Sequence, residues 1–507
     1  MSGAGAASSG SPHRVPGPRC AQCGNRTATS SPVLCSRCAE GYPEATPPHS
    51  SAATKTADRR VILAGCNRHN ECLLPGAGGI VMPKIVPLDW LCDRRRVVQL
   101  TLGDRFTLLT DDEGKLYAVG RNDKAQFGRR GSSTDPDDRI PRPVAGIGEE
   151  RIAHAATGSG HCAAMTEDGK LFVWGWNVFG QCGTGKGTTD SIELSSLGEG
   201  VRVAFVACGA FHTVVVTSVG VIVFGHNYYG QLGTGNNDRQ PTPALLTCAA
   251  LDGVHIVGCA AGNGFTHLVS DDGRVFAMGL NSRGQCGTGG TDDTNTPTEI
   301  DAAHFGGVPV VAVACGDGHV LMITAESKLY ACGWGICGAT GLGHTKDVVT
   351  PRPVAGALAD ARVVQITAGA GHSCALTEDG RVFAFGRNGG VPTAGAKGIP
   401  QLLQDTLAGT TVCALGGGCC AGHSAFVAGS PPDAPGFELP LAFPWHRRRL
   451  LLVCLLFAKR QFDECAPAPA ATTDCAAPPR RTARSPAAGT VPLSIPVNEA
   501  HVLLLIG

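Results

Sequence analysis

GHNYYGQLGTGNNDRQPTP, residues 225–243, holds four glycines and reads at first as a loop shaped for a phosphate. Comparing it with the rest of the chain changes that reading. WGWNVFGQCGTG closes at Gly185, MGLNSRGQCGTG at Gly289 and CGWGICGATGLG at Gly343. A divergent VGRNDKAQFGRR closes at Arg130, and a truncated FGRNGG at Gly390. The leading glycines are Gly120, Gly175, Gly225, Gly279, Gly333 and Gly386, spaced 55, 50, 54, 54 and 53 residues apart. Gly65, in LAGCNRHNEC, stands 55 residues before Gly120 and makes a seventh copy. Asparagine follows two residues on in six copies; Gly335 takes its place in the other. A phosphate loop occurs once and opens a helix. This loop recurs and runs into proline, so its glycines are read as architecture.

A second block precedes each glycine. AATGSGHCAAMTEDGKLFVWG, VACGAFHTVVVTSVGVIVFG and ITAGAGHSCALTEDGRVFAFG each read as strand, turn, strand. The Asp-Gly pairs at 168–169, 272–273 and 379–380 suit tight hairpins that need positive φ. Downstream, RQPTP, TNTPTEI and VVTPRPV place prolines where only an edge strand or a loop exit tolerates them. Repeats of about 50 residues with about four short strands each are the signature of a propeller. The last block, residues 412–429, has the first hairpin but no glycine block, whereas residues 61–88 have the glycine block but no hairpin. The two are expected to share one blade and close the ring, leaving no open sheet edge.

The pattern G-x-x-H-T/S, D-G, W/F-G-x-N-x-x-G-Q-L-G-x-G resembles the regulator of chromosome condensation repeat family, over residues 61–430. That resemblance implies an all-β, seven-bladed β-propeller. The expected organisation is a disordered segment (1–19), a small zinc module (20–40), a linker (41–60), the propeller (61–430) and a disordered Pro/Ala/Arg-rich tail (431–507).

Repetition also sorts the polar residues. His161, His212, His319, His372 and His423 share one repeat position; in the fourth copy Phe265 precedes a shifted His267. Recurrence points to a buried structural hydrogen bond rather than a catalytic base. Cys182 and Cys286 fill the slot of Leu232 and Phe127, so they read as apolar packing, and packing is also the default for the Cys419-Cys420 pair. No catalytic residue or cofactor-binding residue is assigned. Trp176, Phe179, Tyr228 and Tyr229 break the repeat with bulk: they either pack into the shoulder between blades or anchor a partner.

Outside the repeats, Cys20, Cys23, Cys35 and Cys38 form C-x2-C-x11-C-x2-C, the spacing of a structural tetrahedral zinc site. The segment is similar to the zinc fingers of ubiquitin-editing and stress-associated proteins, although Asn25 and Arg26 stand where that family has an aromatic pair. Formal net charge is zero, with 42 basic and 42 acidic residues, which gives no general attraction for nucleic acid or membrane. The longest aliphatic run, residues 450–457, is too short to span a bilayer. Residues 1–10 carry no apolar core, so despite 23 cysteines the expected location is cytoplasmic, with nuclear as the alternative.

The expectation is a monomeric, non-enzymatic interaction scaffold binding protein partners through its loop face. The resemblance implies a first alternative, guanine-nucleotide exchange on a Ran-like small GTPase. The glycine blocks keep one internal length and show no inserted wedge, and no basic N-terminal arm is present. A second alternative is a ubiquitin-pathway adaptor. The zinc reading is checked by metal content after dialysis: the native chain should retain zinc and a Cys35→Ser/Cys38→Ser variant should lose it, whereas equal zinc in both refutes it.

Overall fold

The computed structural model describes residues 60–66, 80–86, 96–129, 141–185, 189–193, 197–335, 338–354, 356–387, 398–403 and 411–428. All fall in Met1–Pro444, the first of the chain's two units; the second, Trp445–Gly507, lies outside them. The four zinc-pattern cysteines, Asn67 and the proline-rich tail are likewise outside the described residues.

The strands form seven four-stranded antiparallel sheets. Blades 1 to 6 start at Val97, Ile152, Val203, Ile256, Val310 and Val363. In blade 3 the order from the inside outward is Val203–Cys208, His212–Thr217, Gly220–Gly225 and Gln240–Leu245. The outermost strand carries Pro241 and Pro243, at the sheet edge where a missing N–H costs no ladder bond. Blade 7 is the composite the sequence predicts. Val412–Gly416 and His423–Ala428 supply its inner half, Arg60–Cys66 and Ile80–Val86 its outer half. Ile62 pairs with Phe426 and Gly65 with His423. Neighbouring inner strands touch all the way round, and Leu102 N–H donates to the Gly417 carbonyl to join blade 1 to blade 7.

Second and third strands read as almost unbroken buried runs, as in His212–Thr217. Each sheet is covered on both faces by neighbouring blades, so both side-chain sets are apolar. Val214, Val216, Val221 and Val223 of blade 3 pack with Leu268, Phe276 and Met278 of blade 4. Burying each side chain of this size contributes about 1.5–3 kcal/mol.

Polar side chains lock one blade to the next. His212 Nε2 lies 2.9 Å from Thr266 Oγ1 of blade 4, and that hydroxyl donates to the Gln231 carbonyl of blade 3 at 2.7 Å. Because the hydroxyl proton is already committed, the imidazole must donate from Nε2. The same link joins His161 to Thr213, His319 to Ser373, His372 to Ser424 and His423 to Thr107, at 2.8–3.0 Å. The G-x-x-H spacing follows from space: a Cβ on Gly209 would collide with the His212 ring. Two links are missing, and both sides change together. Phe106 and Phe265 occupy the histidine slot, and Cys162 and Val320 occupy the hydroxyl slot of the following blade.

The glycine loop is built by side chains acting as backbone. Asn227 Oδ1 accepts from Leu232 N–H, and Asn227 Nδ2 donates to the carbonyls of Asn236 and Asp238. Gln231 Oε1 accepts from Tyr229 N–H. Gly235 N–H then donates to Asn295 of blade 4, so the loop is also a strap between blades. Gly225 has φ +111°, and a Cβ there would sit 2.6 Å from the Phe211 carbonyl oxygen. Blade 1 departs from the rule. Ala125, at φ 61°, stands where the other loops carry Gly180, Gly230 and Gly284.

Ala125→Gly should therefore raise stability by about 1 kcal/mol, since a non-glycine residue in this region costs about 1–2 kcal/mol. A lower denaturation midpoint in the variant would refute the strain. Burial holds His161, His212, His319 and His423 down at about 3 and His372 at about 4. The unfolded chain takes up these protons first, near its ordinary pKa of about 6.5. Stability should be fully present above that pH and fall on acidification toward 4, by up to about 1.4 kcal/mol per pH unit for each histidine. Urea titrations across this window should show a shallower slope for His212→Gln.

Candidate functional site

The loops that precede each second strand and follow each third strand lie on one face of the ring. There, blades 2 and 3 carry a continuous arc of rings. Trp176 meets Phe211 edge-on at 5.5 Å, Phe211 meets Phe179 at 5.4 Å, and Phe179 meets His226 at 4.9 Å. His226 stacks toward Tyr228 at 6.3 Å, and Tyr228 meets Tyr229 edge-on at 5.1 Å. The four aromatic residues singled out in the sequence thus belong to one group, which Phe211 and His226 complete. Those two were missed because they occupy positions adjacent to repeated residues, where the repeat itself drew the eye.

The aromatics divide by exposure, three packed in the shoulder and one projecting. Trp176, Phe179 and Tyr229 are half-buried in the shoulder between blades, and Trp176 lies against Gly160. Tyr228 projects, 69% exposed, and Val178 occupies the equivalent loop tip of blade 2 at 53%. Gln231 Nε2 donates to His226 Nδ1 at 2.9 Å, and burial lowers the His226 pKa, so the ring is neutral and apolar toward its neighbours.

One end of the arc is charged. Lys124 Nζ lies 5.5 Å over the Trp176 ring, a cation–π contact. Beside it Arg121 bridges Asp123 at 2.6 Å and Asp104 at 3.3 Å. Burial works against the Asp123 charge, but the Arg121 guanidinium outweighs it and keeps this carboxyl below its ordinary range. One blade beyond Tyr229, Arg283 of blade 4 bridges Asp347 of blade 5 at 3.2 Å. An apolar centre with a charged end has the composition of a protein contact surface.

The second feature is the central channel, about 350 Å3, lined by the inner strands of all seven blades. Each inner strand has a register shift after its first residue, as between Val97 and Gln99 or Ile152 and His154. Such bulges re-aim side chains. Gln99 and Gln365 consequently reach sideways rather than toward a ligand: Gln99 bonds the backbone of Ala155, and Gln365 that of Leu415. His154 stands between Gln99 and Phe205, and burial lowers its pKa to about 4. No group of histidine, cysteine or carboxylate side chains among the described residues is arranged to hold a metal.

Comparison with known proteins agrees with this architecture. The regulator of chromosome condensation (RCC1) repeat matches residues 113–165, 168–216, 220–269 and 272–323, and a second form of it matches 152–181, 310–339 and 363–389. The chain is 32% identical to the ultraviolet-B receptor UVR8 of Arabidopsis thaliana over 322 residues, covering 62% of this chain and 71% of the receptor. It is 30% identical to the human E3 ubiquitin-protein ligase HERC2 over 396 residues, which is 76% of this chain but 8% of the ligase. Among solved structures, human WBSCR16 superposes with a TM-score of 0.61 at 22% identity, covering 73% of this chain and 99% of that one. Prp20p of Saccharomyces cerevisiae, described with its binding to Gsp1p and histones, gives 0.63 at 17%, covering 79% and 96%.

Proposed function

We infer the function from one premise: the chain belongs to the regulator of chromosome condensation (RCC1) repeat family. It is a non-enzymatic protein-interaction scaffold, and its binding surface is the aromatic arc of blades 2 and 3. The observation that supports this reading most directly is Tyr228, an exposed ring standing on a preformed stack with charged groups at one end. The propeller holds that stack rigid, so a partner meets a surface whose ordering cost was met during folding. A zinc module at Cys20, Cys23, Cys35 and Cys38 supplies a second contact in this proposal.

Nucleotide exchange on a small GTPase stays the alternative, because Prp20p shares the fold and is described with Gsp1p. A role in the ubiquitin pathway stays a further alternative through the partial match to HERC2. The full chain is used to capture nucleotide-free and nucleotide-loaded small GTPases and, separately, ubiquitin and cross-linked cellular partners. A scaffold binds its partner regardless of nucleotide. Tyr228→Ala should weaken that binding by about 2 kcal/mol, roughly 30-fold, while Leu245→Ala, exposed on the outermost strand of blade 3, should leave it unchanged. Selective capture of a nucleotide-free GTPase followed by faster nucleotide release would replace the scaffold reading with exchange.

A further inference from the structure

Blade 7 differs from the others in one loop. Between inner and second strands, blades 2 to 6 spend three residues, as in Gly209, Ala210 and Phe211; blade 7 spends six, residues 417–422. The extra length turns inward over the channel mouth. Gly417 accepts from Leu102 of blade 1, Cys420 Sγ accepts from the Ser159 hydroxyl of blade 2 at 3.1 Å, and Cys419 Sγ reaches the Cys208 carbonyl of blade 3 at 3.7 Å. The loop therefore sets two adjacent thiols across the mouth, with Cys419 3% exposed and Cys420 half-buried. Simple core packing, the sequence expectation for this pair, holds for Cys419 but not for Cys420.

The sulfurs are 3.3 Å apart. A disulfide between them is disfavoured, because adjacent Cα atoms stand about 3.8 Å apart, short of the roughly 4.4–6.8 Å range of unstrained disulfides. One atom held by both is not disfavoured. With bonds of about 2.3 Å, sulfurs at this separation subtend about 90° at the bound atom, whereas a tetrahedral zinc needs about 109° and a wider pair. Right-angled, pyramidal binding belongs to trivalent arsenic. A buried, unpartnered hydroxyl, Thr157 Oγ1, also lines the channel here, beside Gly418.

We propose that Cys419 and Cys420 form a bidentate site for monosubstituted trivalent arsenicals at the mouth of the propeller channel. With an arsenoxide, two S–As bonds form and the As–O bond breaks. The two thiol protons leave with the oxygen as water, and no oxidant or reductant is consumed. Cys420, the accessible thiol, attacks first. Cys419 closes the chelate, its thiol kept protonated until then by its contact with Cys420 and by burial.

The probe is phenylarsine oxide added to the reduced full chain, read by intact mass and peptide mapping. Wild type should take up one more phenylarsenic group than Cys420→Ser. That group should map to the peptide holding Cys419 and Cys420, survive excess monothiol and leave on addition of a 1,2-dithiol. Cys420→Ser changes a half-buried residue and should melt with the wild type; Cys419→Ser, a buried change, is the second variant. Label retained equally by wild type and a folded Cys420→Ser, or mapped only to other cysteines such as the Cys20/Cys23 and Cys35/Cys38 pairs, overturns the proposal.

Discussion

Everything in this ring depends on an imidazole lying against a glycine and reaching one blade further than its own sheet. A propeller blade has little reason to stand at a fixed angle to its neighbour if only apolar surfaces meet, because hydrophobic contact is not directional. The histidine supplies the direction. From the shelf left by a residue without a Cβ, as at Gly209, its Nε2 meets a hydroxyl at the start of the next blade's second strand, and that hydroxyl binds the carbonyl it came past. The Nε2–H, the hydroxyl and the carbonyl are each paired in a dry setting, where leaving one of them out would cost about 1–3 kcal/mol.

The two blades without the link show that it works as a pair. A histidine facing Val320, or a threonine facing Phe106, would leave a buried polar atom without a partner. The chain avoids both mixed states: Phe106 goes with Cys162 and Phe265 with Val320. The same rule governs the glycine loop of blade 5, where Gly335 and Ala339 replace the asparagine and glutamine together. What stays is the cap shared with blade 4: Asp347 accepts from the Gly335 N–H as Asp293 accepts from the Asn281 N–H. In these places the paired polar groups are removed together.

Repetition made most of this legible. The period placed every blade, including the divided one, because Gly65 and His423 keep the relation that Gly225 and His212 have within a single stretch of chain. What the sequence hid are relations that cross from one repeat to the next. Phe106 looks like a lost histidine until Cys162 is seen beside it. Gln99 looks like a channel ligand until the backbone of Ala155 is found to occupy it. The aromatic arc was half visible: its loop residues break the repeat, but Phe211 joins them only through a turn shared between two strands. The inward loop of blade 7 is hidden because its extra residues fall in an inner hairpin, whereas the glycine blocks that mark the period keep one length.

The divided blade also sets an order of events. Ile62 must wait for Phe426, 364 positions later (426 − 62), before its strand has a partner on that side. Closing so long a loop costs only about 5 kcal/mol, since the entropy grows with the logarithm of length, but it comes late and depends on contacts far apart in sequence, which slows folding. Until then the growing stack of blades is an open arc in which strand Arg60–Cys66 has an unpaired edge, the state in which chains of this kind join to one another. During synthesis the inner half of the last blade therefore acts as a lock: its arrival turns an arc able to add further sheets into a ring that has no end to extend.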